Sequence, residues 1–115
     1  MAPRWHITRG EGEVTLSRQL PARFDVVAEV TLPMGDPVRL VHQIRQDLWR
    51  ALQQVRGFSP VVRARQDGAT IRIEAGGRVA QPIAPGLTAR IEDVLACPAR
   101  RARWARHASR SGRGF

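Results

Sequence analysis

The segment PARRARWARHASRSGRGF, residues 98–115, holds six arginines, one histidine and one tryptophan but no acidic residue. A guanidinium presents its donors as a planar fork that meets phosphate or carboxylate oxygens two at a time, so unopposed arginines at this density suit an anionic partner. On a helix, Ala102, Ala105, Ala108 and Ser109 share one side, Arg100, Arg103, Arg106, His107 and Arg110 cover the other, and Trp104 lies on the flank. The segment then either docks through its alanine face and Trp104, which makes the arginines a fixed surface, or stays a loose arm that a partner orders.

Two further groups have types and spacings suited to anion binding. His42, Arg45 and Trp49 stand three, four and seven residues apart, which sets them along one edge of a helix. They form either a half-buried core margin or a stacking and interaction platform with Trp49 as its flat face. SPVVRAR and ATIRIEA flank Asp67-Gly68, a two-residue turn signal that predicts a hairpin pairing Val62 with Ile73 and Arg63 with Arg72. Arg63, Arg65 and Arg72 then share the wet face, where Glu74 lies diagonal to Arg63 as a candidate neutraliser, and three such arginines suit RNA or an acidic partner.

Other chemistries lack their residues. No Gly-x-Ser-x-Gly occurs, Cys97 beside Pro98 reads as a small buried residue, and Glu92 and Asp93 point apart as helix neighbours. His6, His42 and His107 fall in separate segments with no metal-ligand spacing, and the glycine pairs lack the lysine of a phosphate loop. The expectation is a non-enzymatic protein with no catalytic residues, no metal and no cofactor.

The elements that must position these groups are legible in part. The 115 residues suit one small domain, and 43% hydrophobic and 25% charged residues are ordinary globular usage. EVTLSRQL reads as a short strand, and RFDVVAEVTLP as a longer one with Phe24, Val26, Ala28, Val30 and Leu32 on its core face. A helix follows from Asp36 as N-cap and Pro37 at its first position to Gly57 past its end, with Val41, Ile44, Leu48, Leu52 and Val55 on one arc. After the hairpin, Gly76-Gly77 reads as a break before a short strand RVAQ, and LTARIEDVLA as a second amphipathic helix ended by Pro98.

The predicted fold is a two-layer α+β domain in which two helices cover one face of a mostly antiparallel sheet of four to five strands. Its element order is ββαββ(β)α plus a basic C-terminal helix or tail. By element order alone the nearest named topology is a ferredoxin-like βαββα core whose final strand is not visible. Residues 1–12 are expected as a loosely ordered lead-in, 13–97 as the domain, and 98–115 as the tail, helical to about residue 110 if it docks.

All nineteen basic residues are arginine, against ten acidic ones, for a net charge of +9. Residues 98–115 contribute six of these nine charges. Absence of lysine matches GC-rich, bacterial-type coding, so the placement of charge says more than its arginine identity. No stretch resembles a membrane span or a signal peptide, and one cysteine fits a reducing compartment, so a cytoplasmic protein without integral membrane association is expected. The leading expectation is a small basic binding protein that contacts nucleic acid backbone, RNA ahead of DNA, through Arg63, Arg65, Arg72, Arg100, Arg103, Arg106 and Arg110. The alternative is a protein-interaction module or homo-oligomer that uses the sheet edge, or the margin of His42, Arg45 and Trp49, to meet an acidic partner or a second copy.

Overall fold

Asp36 starts the first helix as its type and place require. Its carboxylate accepts the backbone N–H of Val38 at 3.0 Å and of Arg39 at 3.2 Å, Pro37 fills the first turn, and α1 runs Pro37–Leu52. In the computed structural model, which describes residues 5–109 and residue 115, α1 lies on a five-stranded sheet. The strands are β1 (His6–Gly10), β2 (Glu13–Ser17), β3 (Val26–Pro33), β4 (Ser59–Asp67) and β5 (Thr70–Arg78). Their order is β1-β2-β4-β5-β3, and every pairing is antiparallel. Helices α2 (Leu87–Ala96) and α3 (Pro98–Ala108) complete the α+β fold.

The core lies between the sheet and α1 and α2. Leu40, Val41, Ile44, Leu48 and Leu52 of α1 and Leu87, Ile91, Val94 and Leu95 of α2 are buried against alternating strand residues, among them Leu16, Val62, Ala64, Ile71 and Ile73. β5 sits between β3 and β4, the two strands that α1 joins, giving a split β-α-β arrangement. The place beside β3, where a ferredoxin-like sheet would add its final strand, holds no strand among the described residues.

Four features differ from the sequence expectation. First, residues 6–10 of the expected lead-in form the edge strand β1, turned onto β2 through Glu11 and Gly12, whose φ of 63° suits glycine. Second, the β4–β5 hairpin turns on Gly68 and Ala69, with positive φ at Gly68 alone, so Arg63 faces Glu74 and Arg65 faces Arg72. This two-residue shift keeps every side chain on its expected face and sets Arg63 opposite Glu74, while the like-charged pair moves to Arg65 and Arg72. Third, Gly76 and Gly77 do not break β5. A Cβ at Gly76 would lie 2.0 Å from the Val26 carbonyl oxygen, and one at Gly77 2.0 Å from that of Ser59, so glycine is what lets three backbones pack here. No separate RVAQ strand forms, and β1 is the fifth strand. Fourth, Phe24 precedes β3 and lies on the open sheet face, its ring 5.2 Å from the Arg63 guanidinium.

Residues 98–109 are part of the domain. Trp104 is 0% exposed and Ala108 4%, and the Ala108 carbonyl accepts the Asp36 backbone N–H at 2.8 Å. Gly35 is the seat for this contact, since a Cβ there would come within 2.9 Å of the Ala108 methyl. Ala102 and Ala105, expected on the docking face, are instead exposed, because the bulk of Trp104 and its partner one turn on set the rotation of α3.

Candidate nucleic-acid interface

Among the charged residues on the open face of the sheet are Arg63 and Arg65 on β4, Arg72 and Glu74 on β5, Glu13 on β2 and Glu29 on β3, three arginines and three glutamates. Arg65 Nε donates to Glu13 at 3.1 Å and lies 3.4 Å from Glu74, and Arg72 donates to Glu29 at 2.6 Å. Arg63 Nε and Glu74 Oε1 approach to 3.1 Å as an ion contact without hydrogen-bond alignment. The Glu29 carboxylate holds Arg72 even more firmly protonated than usual. Each expected sheet arginine therefore has a carboxylate partner already, and this face is balanced rather than basic.

The arginines of residues 98–109 divide into structural and free ones. Arg103 bonds the carboxylate of Asp47, which is 5% exposed and also accepts the Trp104 indole N–H at 2.7 Å. Arg101 Nε donates to the Leu95 carbonyl at 2.9 Å, satisfying one orphan acceptor at the end of α2. Arg100 and Arg106 have no carboxylate at ion-pairing distance among the described residues. Arg110 lies outside the described residues.

Cys97 is the N-cap of α3 and half-buried, not enclosed as its sequence suggests. The backbone amide of Arg100, aided by that of Ala99 and by the Arg100 guanidinium, holds its thiol below the usual range.

Positive charge gathers on α1 and α3. Within α1 and α3 stand Arg39, Arg45, Arg50, Arg100, Arg101, Arg103 and Arg106, against the single carboxylate of Asp47, and the two helices pack together. One flank of α1 faces α3 through Asp47. The opposite flank, carrying Arg45 and Trp49, faces Trp5, the residue before β1, and Arg18, the residue after β2.

On that second flank the structure builds a cleft of about 230 Å³ lined by Trp5, Arg18, Arg45 and Trp49. The Arg45 guanidinium lies 4.6 Å from the centre of the Trp5 ring, and its Nε is buried with no acceptor among the described residues. Burial, followed by the charge of Arg50, makes Arg45 less basic than a free arginine. Trp49 stacks on Phe58 with ring centres 6.4 Å apart and planes 10° apart, yet remains 37% exposed. Its orientation is fixed while part of its surface stays open.

His42 does not line this cleft. Burial, and then Arg45, hold its pKa below the ordinary 6.5, so it is neutral at pH 7 and the cationic partner of Arg45 is Arg18. Trp5 and Arg18 carried no separable sequence signal, because only the β1–β2 hairpin brings residue 5 and residue 18 together beside α1. The chain matches no protein-family model, no curated protein and no solved structure. Among the described residues there is no cluster of metal-ligating side chains and no helix long and apolar enough to cross a membrane.

Proposed function

We propose that this protein is a non-enzymatic binder of single-stranded nucleic acid, RNA ahead of DNA, whose contact surface is the helical layer rather than the open sheet face. One observation carries the reading: the cleft of Trp5, Arg18, Arg45 and Trp49 combines two aromatic rings and two guanidiniums with no carboxylate in its lining. An unpaired base stacks on the open part of Trp49, and its flanking phosphates meet Arg18 and Arg45. The strand continues over the outer side of α1, past Arg50, toward Arg100 and Arg106 of α3. Such contacts track the backbone and tolerate any base. Titration of a labelled oligouridylate should give an affinity that falls by about 0.7 log units per log unit of salt for each phosphate contact, whereas a slope near zero would exclude the reading.

A second reading rests on β3. It is an eight-residue edge strand with nothing paired on its outer side among the described residues, and its Val27 is 40% exposed. An edge of this kind accepts a strand from another chain, including a second copy of this one. Sedimentation equilibrium separates the two readings: a dimer that Val27→Lys dissociates supports strand pairing, and a monomer at all concentrations rejects it.

A further inference from the structure

On the other side of the molecule from the tryptophan cleft, α3 and the end of β3 flank an open cavity of about 310 Å³. Leu32, Pro33, Met34 and Leu40 supply its apolar wall, while Ala102 and Ala105 leave it open where longer side chains would fill it. Two polar side chains, Thr31 and Arg101, join the lining, and Ala108 closes its end. Concave sites that are mostly apolar with a few placed polar groups are the usual form of small-molecule pockets, and this one lies at the small end of their roughly 300–1,000 Å³ range.

Arg101 determines what chemistry the cavity takes. Its Nε is tied to the Leu95 carbonyl at 2.9 Å, which fixes the guanidinium against the end of α2. No carboxylate lies at ion-pairing distance from it among the described residues. Asp36, the acidic residue near this end of α1, directs its carboxylate to the Val38 and Arg39 amides and does not line the cavity. The site thus offers an apolar wall and one positioned cation that pairs with no carboxylate among the described residues.

We propose that this cavity binds a medium-chain carboxylate, with the alkyl chain against Leu32, Met34 and Leu40 and the carboxylate on the terminal nitrogens of Arg101. The match is one of charge and polarity: a chain too apolar for water, ending in a single negative charge that a guanidinium meets with two parallel hydrogen bonds. A neutral chain of the same length gains the apolar contacts but not the charge. The proposal is independent of nucleic-acid binding, since the two sites share no lining residue.

Calorimetric titration of the full chain with octanoate and with octanol tests it. The expected result is saturable one-to-one binding of octanoate at least about tenfold tighter than octanol, as a charge-assisted hydrogen-bond pair implies. Arg101→Gln keeps a donor for the Leu95 carbonyl and should erase most of that preference. Ala105→Leu, at an exposed helix position, should abolish binding of both ligands while circular dichroism and the melting temperature stay unchanged, and Ala102→Leu provides a second filled variant should the first fold poorly. Absence of saturable octanoate binding, equal affinity for octanoate and octanol, or octanoate binding that survives both filled variants would each overturn the proposal.

Discussion

The indole N–H of Trp104 donates to Asp47 Oδ2 at 2.7 Å, and neither residue is more than 5% exposed. A buried carboxylate is costly unless its oxygens are satisfied, and here Trp104 and Arg103, both from α3, satisfy the same oxygen of a side chain on α1. The bond makes α3 structural. It turns what reads as a basic tail into the third helix of the domain.

Trp104→Ala should therefore destabilise the protein by about 3–5 kcal/mol, the usual cost of removing a large buried aromatic side chain. Trp104→Phe should cost about 1–3 kcal/mol, since it removes the donor and leaves Asp47 to Arg103 alone. Urea unfolding followed by circular dichroism measures both. Loss of nucleic-acid binding with unchanged stability would show α3 to be an appendage after all.

Glu74 stands between Arg63 at 3.1 Å and Arg65 at 3.4 Å. Glu74→Gln should lower stability by roughly 1 kcal/mol, the upper range for a networked surface ion pair, and should strengthen binding of polyanions to the sheet face by freeing Arg63, while Arg65 keeps Glu13. Heparin retention in moderate salt reports the second effect, and unchanged retention would mean that Arg63 is already free in solution.

His42 binds its proton less readily in the folded protein because burial, and then Arg45, disfavour the charged form. The unfolded chain takes up that proton at about pH 6.5. Stability should thus be insensitive to this residue above about pH 7.5 and decline as pH falls through 6.5 toward the lower folded value, with the unfolded state binding more protons. His42→Gln should flatten that part of the profile in denaturant midpoints measured between about pH 7.5 and 5, and an identical slope in both proteins would contradict it.

Cys97 should react with iodoacetamide along a pH profile whose midpoint lies below that of a peptide thiol, because the first amides of α3 stabilise its thiolate. Arg100→Gln should raise the midpoint only in part, as the backbone amide of residue 100 makes the larger contribution. A midpoint at the ordinary thiol value would show that the first amides of α3 do not stabilise the thiolate.

Local signals located the elements well. Asp36 and Pro37 mark the start of α1, and the apolar arc from Val41 to Leu52 names its buried face, because capping and helical periodicity act within a few residues. What stayed hidden depends on partners distant in sequence. The turn falls on Gly68 and Ala69 with positive φ at Gly68 alone, so the Asp67-Gly68 signal places the hairpin but not its register, which sets Arg63 opposite Glu74. Gly76 and Gly77 look like a break until Val26 and Ser59 are placed across from them. At the site, Arg45 and Trp49 were readable as a helix edge. Their partners Trp5 and Arg18 were not, since a short edge strand with a single partly buried aliphatic residue, Ile7, has almost no periodic signature.

The most direct test of where anions bind compares two variants against the same oligouridylate. Arg18→Gln with Arg45→Gln should weaken binding at least tenfold and reduce the salt slope by about 1.4, two single-strand phosphate contacts. Arg63→Gln, Arg65→Gln and Arg72→Gln combined should change affinity less than about twofold, as expected of arginines already committed to carboxylates. The opposite pattern, with binding lost in the sheet variant and retained in the cleft variant, would contradict the assignment of the interface to the helical layer.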